Sequence, residues 1–481
     1  MINTEIVTKT LKQLIDFFRS GELSSRQITD AFIEQIEAKN KDINAFVTTT
    51  FDLAREQADA SDSRRDNDTL LGTLDGMPIA LKDIVCTQGI RTTASSKMLE
   101  NFVSPYDATV WKKIKDQGAV LLGKLNTDEF AMGASSENSA FGVTKNPYDY
   151  SRVAGGSSGG PAAAVSANMC AAAIGTDTGG SIRLPASFCG ITGLKVSYGR
   201  VSRYGVMAMA SSLDTIGPMT KTAEDAAIML EAMAGKDPKD STTVPDKNIS
   251  YVDQLDQGIS RYKIGLPRQY FSADLEPEVK NVIDSTQAIL KSHGVEFVPV
   301  DMPHTKYAVP TYYIICPSEV SANMARFDGI RYGIETDGKN LEEIYCKARS
   351  AGLGEEVKRR IMLGTFALSA GYSDQFYSKA MKVRTLIKQD FDEAFKKVDA
   401  LLTPVATSPA FHIGENTSDP LQMYMQDIFT APASLAGVSA LSVPVGKSRE
   451  GLPIGAQLIG PMLGEGKLLQ LAHWIEKSLG N

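Results

Sequence analysis

Two glycine/serine clusters, GGSSGG at 155–160 and TDTGGS at 176–181, and a lysine that closes the apolar run MPIAL, Lys82, are the residues best suited to chemistry in this chain. A serine hydroxyl is a weak nucleophile and needs a base, and a lysine serves if its amine is held neutral. The ordinary lysine pKa of about 10.4 must then fall, and burial lowers it by up to roughly 3–5 units. Lys82 ends a strand-like segment, where α/β folds commonly place site residues, and such a position offers that burial. The backbone N–H groups of Thr178, Gly179, Gly180 and Ser181 offer donors to a developing oxyanion if they converge. Glycines there leave room for a carbonyl. The chemistry expected of the combination is serine–lysine acyl transfer or hydrolysis.

Each element alone has a plainer reading. GGSSGG in isolation fits a flexible linker or a tight turn, Ser181 fits a helix cap before IRLPAS, and a lone lysine is ordinarily a solvated amine. Asn126-Thr127-Asp128-Glu129 reads equally as an N-cap cluster and as part of a site. Other chemistries fit poorly. GGSSGG lacks the lysine of a phosphate loop, and Gly446-Lys447-Ser448 has Leu441 where the leading glycine belongs. There is no HExxH, and His293, His304, His412 and His473 lie far apart, which disfavours a Ser-His-Asp triad. Cys86, Cys170, Cys189, Cys316 and Cys346 are odd in number and contain no CxxC, as expected of reduced core thiols.

The elements that position these residues follow from apolar periodicity. Helices are expected at 8–20 and about 25–38, the second with Ser24 and Gln27 at capping-box spacing. A helix from Asp107 to Gln117 precedes the strand AVLLGKL, and a short helix is expected within 126–142. Between the two Gly/Ser clusters, PAAAVSANM reads as a helix and CAAAIG as a buried strand. A helix at 222–234 leads to a long surface loop at 235–250. Tyr262–Pro267, Glu276–His293 and VEFVPV form a β-α-β element before a helix-rich stretch at about 310–400, and the chain then returns to strands. With 43% hydrophobic and 22% charged residues the chain is an ordinary folded protein, and its net charge of −7 argues that any nucleic acid binds mainly through another chain. The N-terminus has no signal-peptide pattern and no apolar run approaches membrane-spanning length, so a cytoplasmic protein is expected.

The run RVAGGSSGGPAAAVSANMCAAAIGTDTGGSIRLPASFCGITGLKVSYGRVS, with Lys82 75 residues before Ser157 and Ser181 a further 24 on, resembles the amidase signature family. The resemblance implies an α/β fold with a mixed-sheet core covered by helices on both faces, in a single domain spanning 1–481. Within it lie N-terminal helices at about 8–38, a signature core at about 70–235 and a helix-rich substrate or partner region at about 310–400. It implies Ser181 as nucleophile, Ser157 as proton relay, often across a cis peptide, and Lys82 as base, with Ser158 excluded by spacing. Segments such as EVKRRIMLGTFALSAGYSDQFY and GLPIGAQLIG are similar to the family's glutaminase subunits of tRNA-dependent amidotransferases. That likeness implies glutamine hydrolysis here and ammonia transfer to the amidotransferase's B subunit, where ATP and Mg2+ serve conversion of Glu-tRNA(Gln) to Gln-tRNA(Gln). The C subunit would stabilise the heterotrimer, and no metal or cofactor is implied in this chain. The same likeness gives Arg360 to the glutamine carboxylate, Asp427 to its α-amino group and Tyr312 to the pocket wall. A standalone amidase for another small amide shares the triad, whereas a non-catalytic scaffold has no use for it. Two residues depart from the family pattern: Ile84 stands where asparagine is usual, and Pro161 replaces a small residue in the first turn of a helix, where its missing N–H costs little.

Overall fold

The computed structural model describes residues 4–245, 250–271, 275–417 and 419–480. Short apolar runs bounded by glycine and proline become strands: β1 (Phe46–Thr49), β2 (Pro78–Lys82), β3 (Val120–Leu125), β4 (Lys145–Asn146), β5 (Asp149–Val153), β6 (Ala172–Asp177) and β7 (Thr192–Lys195). They continue with β8 (Thr215–Thr220), β9 (Lys263–Pro267), β10 (Glu296–Val300), β11 (Ala400–Pro404), β12 (Ala440–Lys447) and β13 (Pro453–Ile459). Among the described residues, β4 and β5 pair with each other and the rest form one sheet in the order β1-β3-β2-β6-β8-β7-β12-β13-β11-β9-β10. The sheet is mixed. β3, β2 and β6 run parallel, as do β11, β9 and β10, while the pairs between these two groups are antiparallel.

Every residue of β2, β3, β6, β8, β11 and β13 is buried. Successive side chains of a strand point to opposite faces, so complete burial means that both faces are covered, as the resemblance implies. Part of that cover comes from the N-terminal helices. Leu11–Ser20 opens with a capping box at Thr10 and Gln13, and Ser25–Ile43 with the expected one at Ser24 and Gln27. The second helix runs beyond the expected end and stops where Asn44 turns left-handed. The expected β-α-β element is present as β9, the helix Pro277–Ser292 and β10. The helix-rich stretch holds Ala308–Asn323, Leu341–Gly352, Glu355–Leu368 and Lys379–Phe395. No helix among the described residues is long and apolar enough to cross a membrane.

Two expectations need correction. The short helix expected in 126–142 is only a 3-10 turn at Glu129–Ala131, because Phe130 and Ala131 take positive φ and break the helical path. Residues 235–250 are not a plain surface loop. Asp237 and Asp240 are buried, Asp237 accepting from Thr109 and Ser202 and Asp240 pairing with Arg203, while 246–249 lie outside the described residues.

Candidate active site

β2 and β6 are parallel neighbours, with Leu81 opposite Ile174, so their carboxyl ends lie side by side. Lys82 ends one strand and Thr176-Asp177 ends the other. The helix Gly159–Ser166 connects the two serine clusters, and its glycines and alanines let it lie close to the sheet. Ser157 and Ser158 precede that helix, and the segment 178–182 leads from β6 into the helix Arg183–Cys189. The Ser158 N–H donates to the Ser181 carbonyl at 3.1 Å, so the two clusters are joined directly. Ser181 is not a cap for the helix that follows, since Ile182 holds that place without a side-chain bond.

Lys82 is wholly buried, and its amine reaches Ser157 Oγ at 2.7 Å, Ser158 Oγ at 2.8 Å and Thr176 Oγ1 at 3.0 Å. Burial brings its pKa down to about 7, against the partial support of Asp128, Asp177 and Asp214. The resemblance set Ser158 aside on spacing, yet it touches Lys82 as closely as Ser157 does. Their other bonds separate them. The Ser158 hydroxyl donates to the Thr176 carbonyl at 3.1 Å and accepts from the Thr176 N–H at 3.2 Å, so its proton is committed. Among the described residues Ser157 Oγ has Lys82 alone. A neutral lysine has two protons for Ser158 and Thr176 and a lone pair for the Ser157 proton, which leaves Ser157 Oγ free to accept another. The peptide bond between Gly156 and Ser157 is cis, and only glycine fits at 156, where a Cβ would collide with the Asp128 carboxylate.

Ser181 is 8% exposed, and its hydroxyl makes no hydrogen bond among the described residues. The same holds for the N–H groups of Thr178, Gly179, Gly180 and Ser181, which are therefore unspent donors beside the Ser181 hydroxyl. Thr178 is steadied through its side chain, which donates to Asp214 Oδ1 at 2.7 Å.

Two of the three expected amide-substrate residues, Tyr312 and Asp427, lie against this same segment. A Cβ on Gly179 would press on the Tyr312 ring at 2.6 Å, and one on Gly180 would come within 3.2 Å of Asp427 Oδ1. Asp427 accepts from the Tyr313 hydroxyl at 2.9 Å, and burial pushes its pKa up to about 6 despite that bond and Arg360. Arg360 is buried; its Nε donates to Glu356 at 2.8 Å and its guanidinium lies over Tyr313 and Tyr424. Its two terminal nitrogens donate to no protein group among the described residues. Arg359, one position away, is exposed and among the described residues pairs with Glu356, so the buried Arg360 fits the expected register better. Sequence reasoning gave the pocket-wall role to Tyr312 rather than its neighbour Tyr313, and missed Tyr424 and Glu356. Tyr313 and Tyr424 stack at 3.9 Å, and Tyr424 also donates to Glu356 at 3.2 Å. The only sequence signal for Glu356 is its i,i+4 spacing to Arg360.

A protein-family model described as Amidase matches residues 27–469. The chain belongs to the amidase family. This amidase is 53% identical over 475 residues to a Trichlorobacter lovleyi protein named as the A subunit of glutamyl-tRNA(Gln) amidotransferase, covering 98% of each chain. A crystal structure of the Thermotoga maritima protein of the same name superposes with a TM-score of 0.81 at 41% identity, covering 99% of this chain and 96% of that one. The native peptide amidase of Stenotrophomonas maltophilia superposes with a TM-score of 0.82 at 30% identity, covering 98% and 96%. The amidase fold is thus shared by relatives named for different amide substrates. The residues beside Gly179 and Gly180, rather than the fold, carry the substrate question.

Proposed function

We propose that this amidase is the glutaminase subunit of a glutamyl-tRNA(Gln) amidotransferase. The observation that carries the reading is a linked pair: Asp427 against Gly180, and Arg360 over the ring of Tyr313, whose hydroxyl bonds Asp427, with both terminal nitrogens of Arg360 unspent among the described residues. A guanidinium fork suits an α-carboxylate and a carboxylate suits an α-ammonium, which is the head of a free amino acid. With that head held, the γ-amide of glutamine reaches Ser181. The near full-length likeness to proteins of that name supports the same substrate.

In this mechanism neutral Lys82 draws the proton of Ser157, Ser157 takes the proton of Ser181, and Ser181 Oγ attacks the amide carbon. The N–H groups of 178–181 receive the oxyanion. The Lys82 ammonium returns its proton through Ser157 to the leaving nitrogen, which departs as ammonia. Water then cleaves the acyl-Ser181 ester by the same route and releases glutamate. The ammonia serves the amidotransferase's B subunit, which binds ATP and Mg2+ and converts Glu-tRNA(Gln) to Gln-tRNA(Gln), while the C subunit stabilises the heterotrimer. The net charge of −7 is in keeping with RNA held mainly by a partner. The test is ammonia release from glutamine by the chain purified with its partner subunits. Ser181→Ala is expected to abolish it, and an unchanged rate in that variant sinks the proposal.

A further inference from the structure

Residues 133–138 form a turn between the relay loop and the wall of the Arg360 seat. The Asp128 carboxylate shapes it, accepting the Ser136 N–H at 2.9 Å and the Asn138 N–H at 3.1 Å. On one side the turn abuts the catalytic centre, for a Cβ on Gly156 would lie 2.6 Å from the Ser135 backbone nitrogen. On the other side Ser135 lines a cavity of about 140 Å³ together with Glu137, Arg360 and Tyr424.

Ser135 is 0% exposed, yet its hydroxyl has no partner among the described residues. Buried hydroxyls are ordinarily paired, and one without a protein partner faces a cost that a ligand can remove. Glu137 Oε2 is a second buried polar atom in this cavity without a protein partner, while its Oε1 is fixed by the Gly414 N–H at 2.7 Å. Glu355, Glu356, Arg359 and Thr417 line the same cavity, and within it the buried Arg360 guanidinium and the Ser135 hydroxyl both keep donors to spare, which suits a carboxylate. An Arg fork occupies two of the roughly four lone-pair sites of a bound carboxylate and leaves sites for a further donor.

We propose that Ser135 is a substrate-binding residue whose hydroxyl donates to the α-carboxylate of glutamine seated on Arg360, and that this contact favours an α-amino-acid amide over a simple primary amide. The inference rests on the glutaminase reading. A purely structural serine predicts the opposite pattern on truncation, since removing it then costs stability and affects all substrates alike.

The experiment compares wild type, Ser135→Ala and Ser135→Cys, each purified with the partner subunits. It measures ammonia release from glutamine and from butyramide, and the Tm without substrate. Ser135→Ala is expected to raise the KM for glutamine about tenfold or more, the range for losing a hydrogen bond to a charged group, with kcat within about threefold. The preference for glutamine over butyramide in kcat/KM falls by the same factor, and the Tm equals or exceeds that of wild type. Ser135→Cys, which keeps a weak donor, falls between the two. An unchanged glutamine KM overturns the inference, as does an equal loss on both amides together with a lowered Tm. If wild type releases no ammonia from glutamine, the glutaminase reading fails and takes this inference with it, an outcome visible before any variant is compared.

Discussion

At pH 7 about half of the Lys82 amines are neutral, because burial brings the pKa to about 7; the neutral fraction is about a tenth at pH 6 and about nine-tenths at pH 8. If Lys82 is the base, its ionisation raises kcat/KM for glutamine, which reports the free enzyme, about tenfold between pH 6 and pH 8 before levelling, and ionisation of Asp427 adds about a further twofold. A lysine at its ordinary pKa gives about a hundredfold rise over the same two units and no plateau before about pH 10. The position of the bend therefore tests burial as the cause. A second perturbation tests the sign of the opposing charges: Asp128 supports the ammonium, so Asp128→Asn removes support and moves the bend to lower pH by roughly half a unit to one unit. The Ser136 and Asn138 N–H groups bind different oxygens of Asp128, and asparagine keeps an acceptor for only one of them, so the Tm of the variant is read alongside its pH profile. Lys82→Arg is expected to be nearly inactive at every pH, since a guanidinium does not deprotonate. The assay is the initial rate of ammonia release at low glutamine from pH 5.5 to 9.5. An unbroken tenfold rise per pH unit through pH 9 refutes the burial argument, and substantial activity in Lys82→Arg refutes the lysine base.

The two serines on Lys82 should part company on mutation. Ser157→Ala is expected to lose about 10²- to 10⁴-fold in kcat, whereas Ser158→Ala loses less activity and about 1–3 kcal/mol of stability, read by denaturant unfolding. Arg360→Lys should raise the glutamine KM by about 30-fold or more through loss of the bidentate fork, with a much smaller effect from Arg359→Ala; equal effects would undo the register. Asp427 holds an ammonium only when ionised, so as its group protonates below about pH 6 the KM for glutamine should climb toward tenfold per unit while Asp427→Asn loses that dependence. A KM flat from pH 7 to pH 5 contradicts the role.

How much of this was legible in the sequence depended on how local the cause is. Lys82 could be placed because an apolar run ending in lysine reads as a strand end, and the Gly/Ser clusters because glycine marks close backbone approach. The capping boxes at Thr10 and Ser24 are complete within four residues. Residues 126–142 were misread because Asn-Thr-Asp-Glu has the composition of a helix start, while the Asp128 carboxylate is taken by N–H groups at 136 and 138 and the chain turns away. Glu129 was equally hidden. It accepts the Gly354 N–H at 2.8 Å, at the head of the helix that carries Arg360, a pairing across 225 positions that no local pattern contains. Tyr424 was missed for the same reason, since its stack on Tyr313 joins distant segments and leaves no periodic trace.

The nucleophile segment poses a physical problem that the buried charges around it resolve. Residues 178–181 leave their N–H groups unspent for an oxyanion, so the backbone bonds that ordinarily hold a turn are lacking there. The restraint comes from outside. Asp177 accepts the Ile182 N–H at 3.2 Å and both arms of the Arg183 guanidinium at 2.9 and 3.0 Å. Arg183 in turn donates to the Thr430 carbonyl, Gln457 and Ser434, which lie on segments some 250 residues further along the chain. Burial pushes the Asp177 carboxyl up, but Arg183 and the Ile182 N–H outweigh it and hold it below the usual range. Such a pair adds little net stability, because desolvation offsets its attraction, so stability is a weak reason for keeping it. Position is a better one. Thr430 and Asp427 belong to the same short segment, so the arginine that pins the segment of Ser181 also pins Asp427, which in the proposed function receives the α-ammonium. On the proposed function, the distance from an α-ammonium on Asp427 to Ser181 is set by this one buried network, and a substrate of the right length would meet donors already in place.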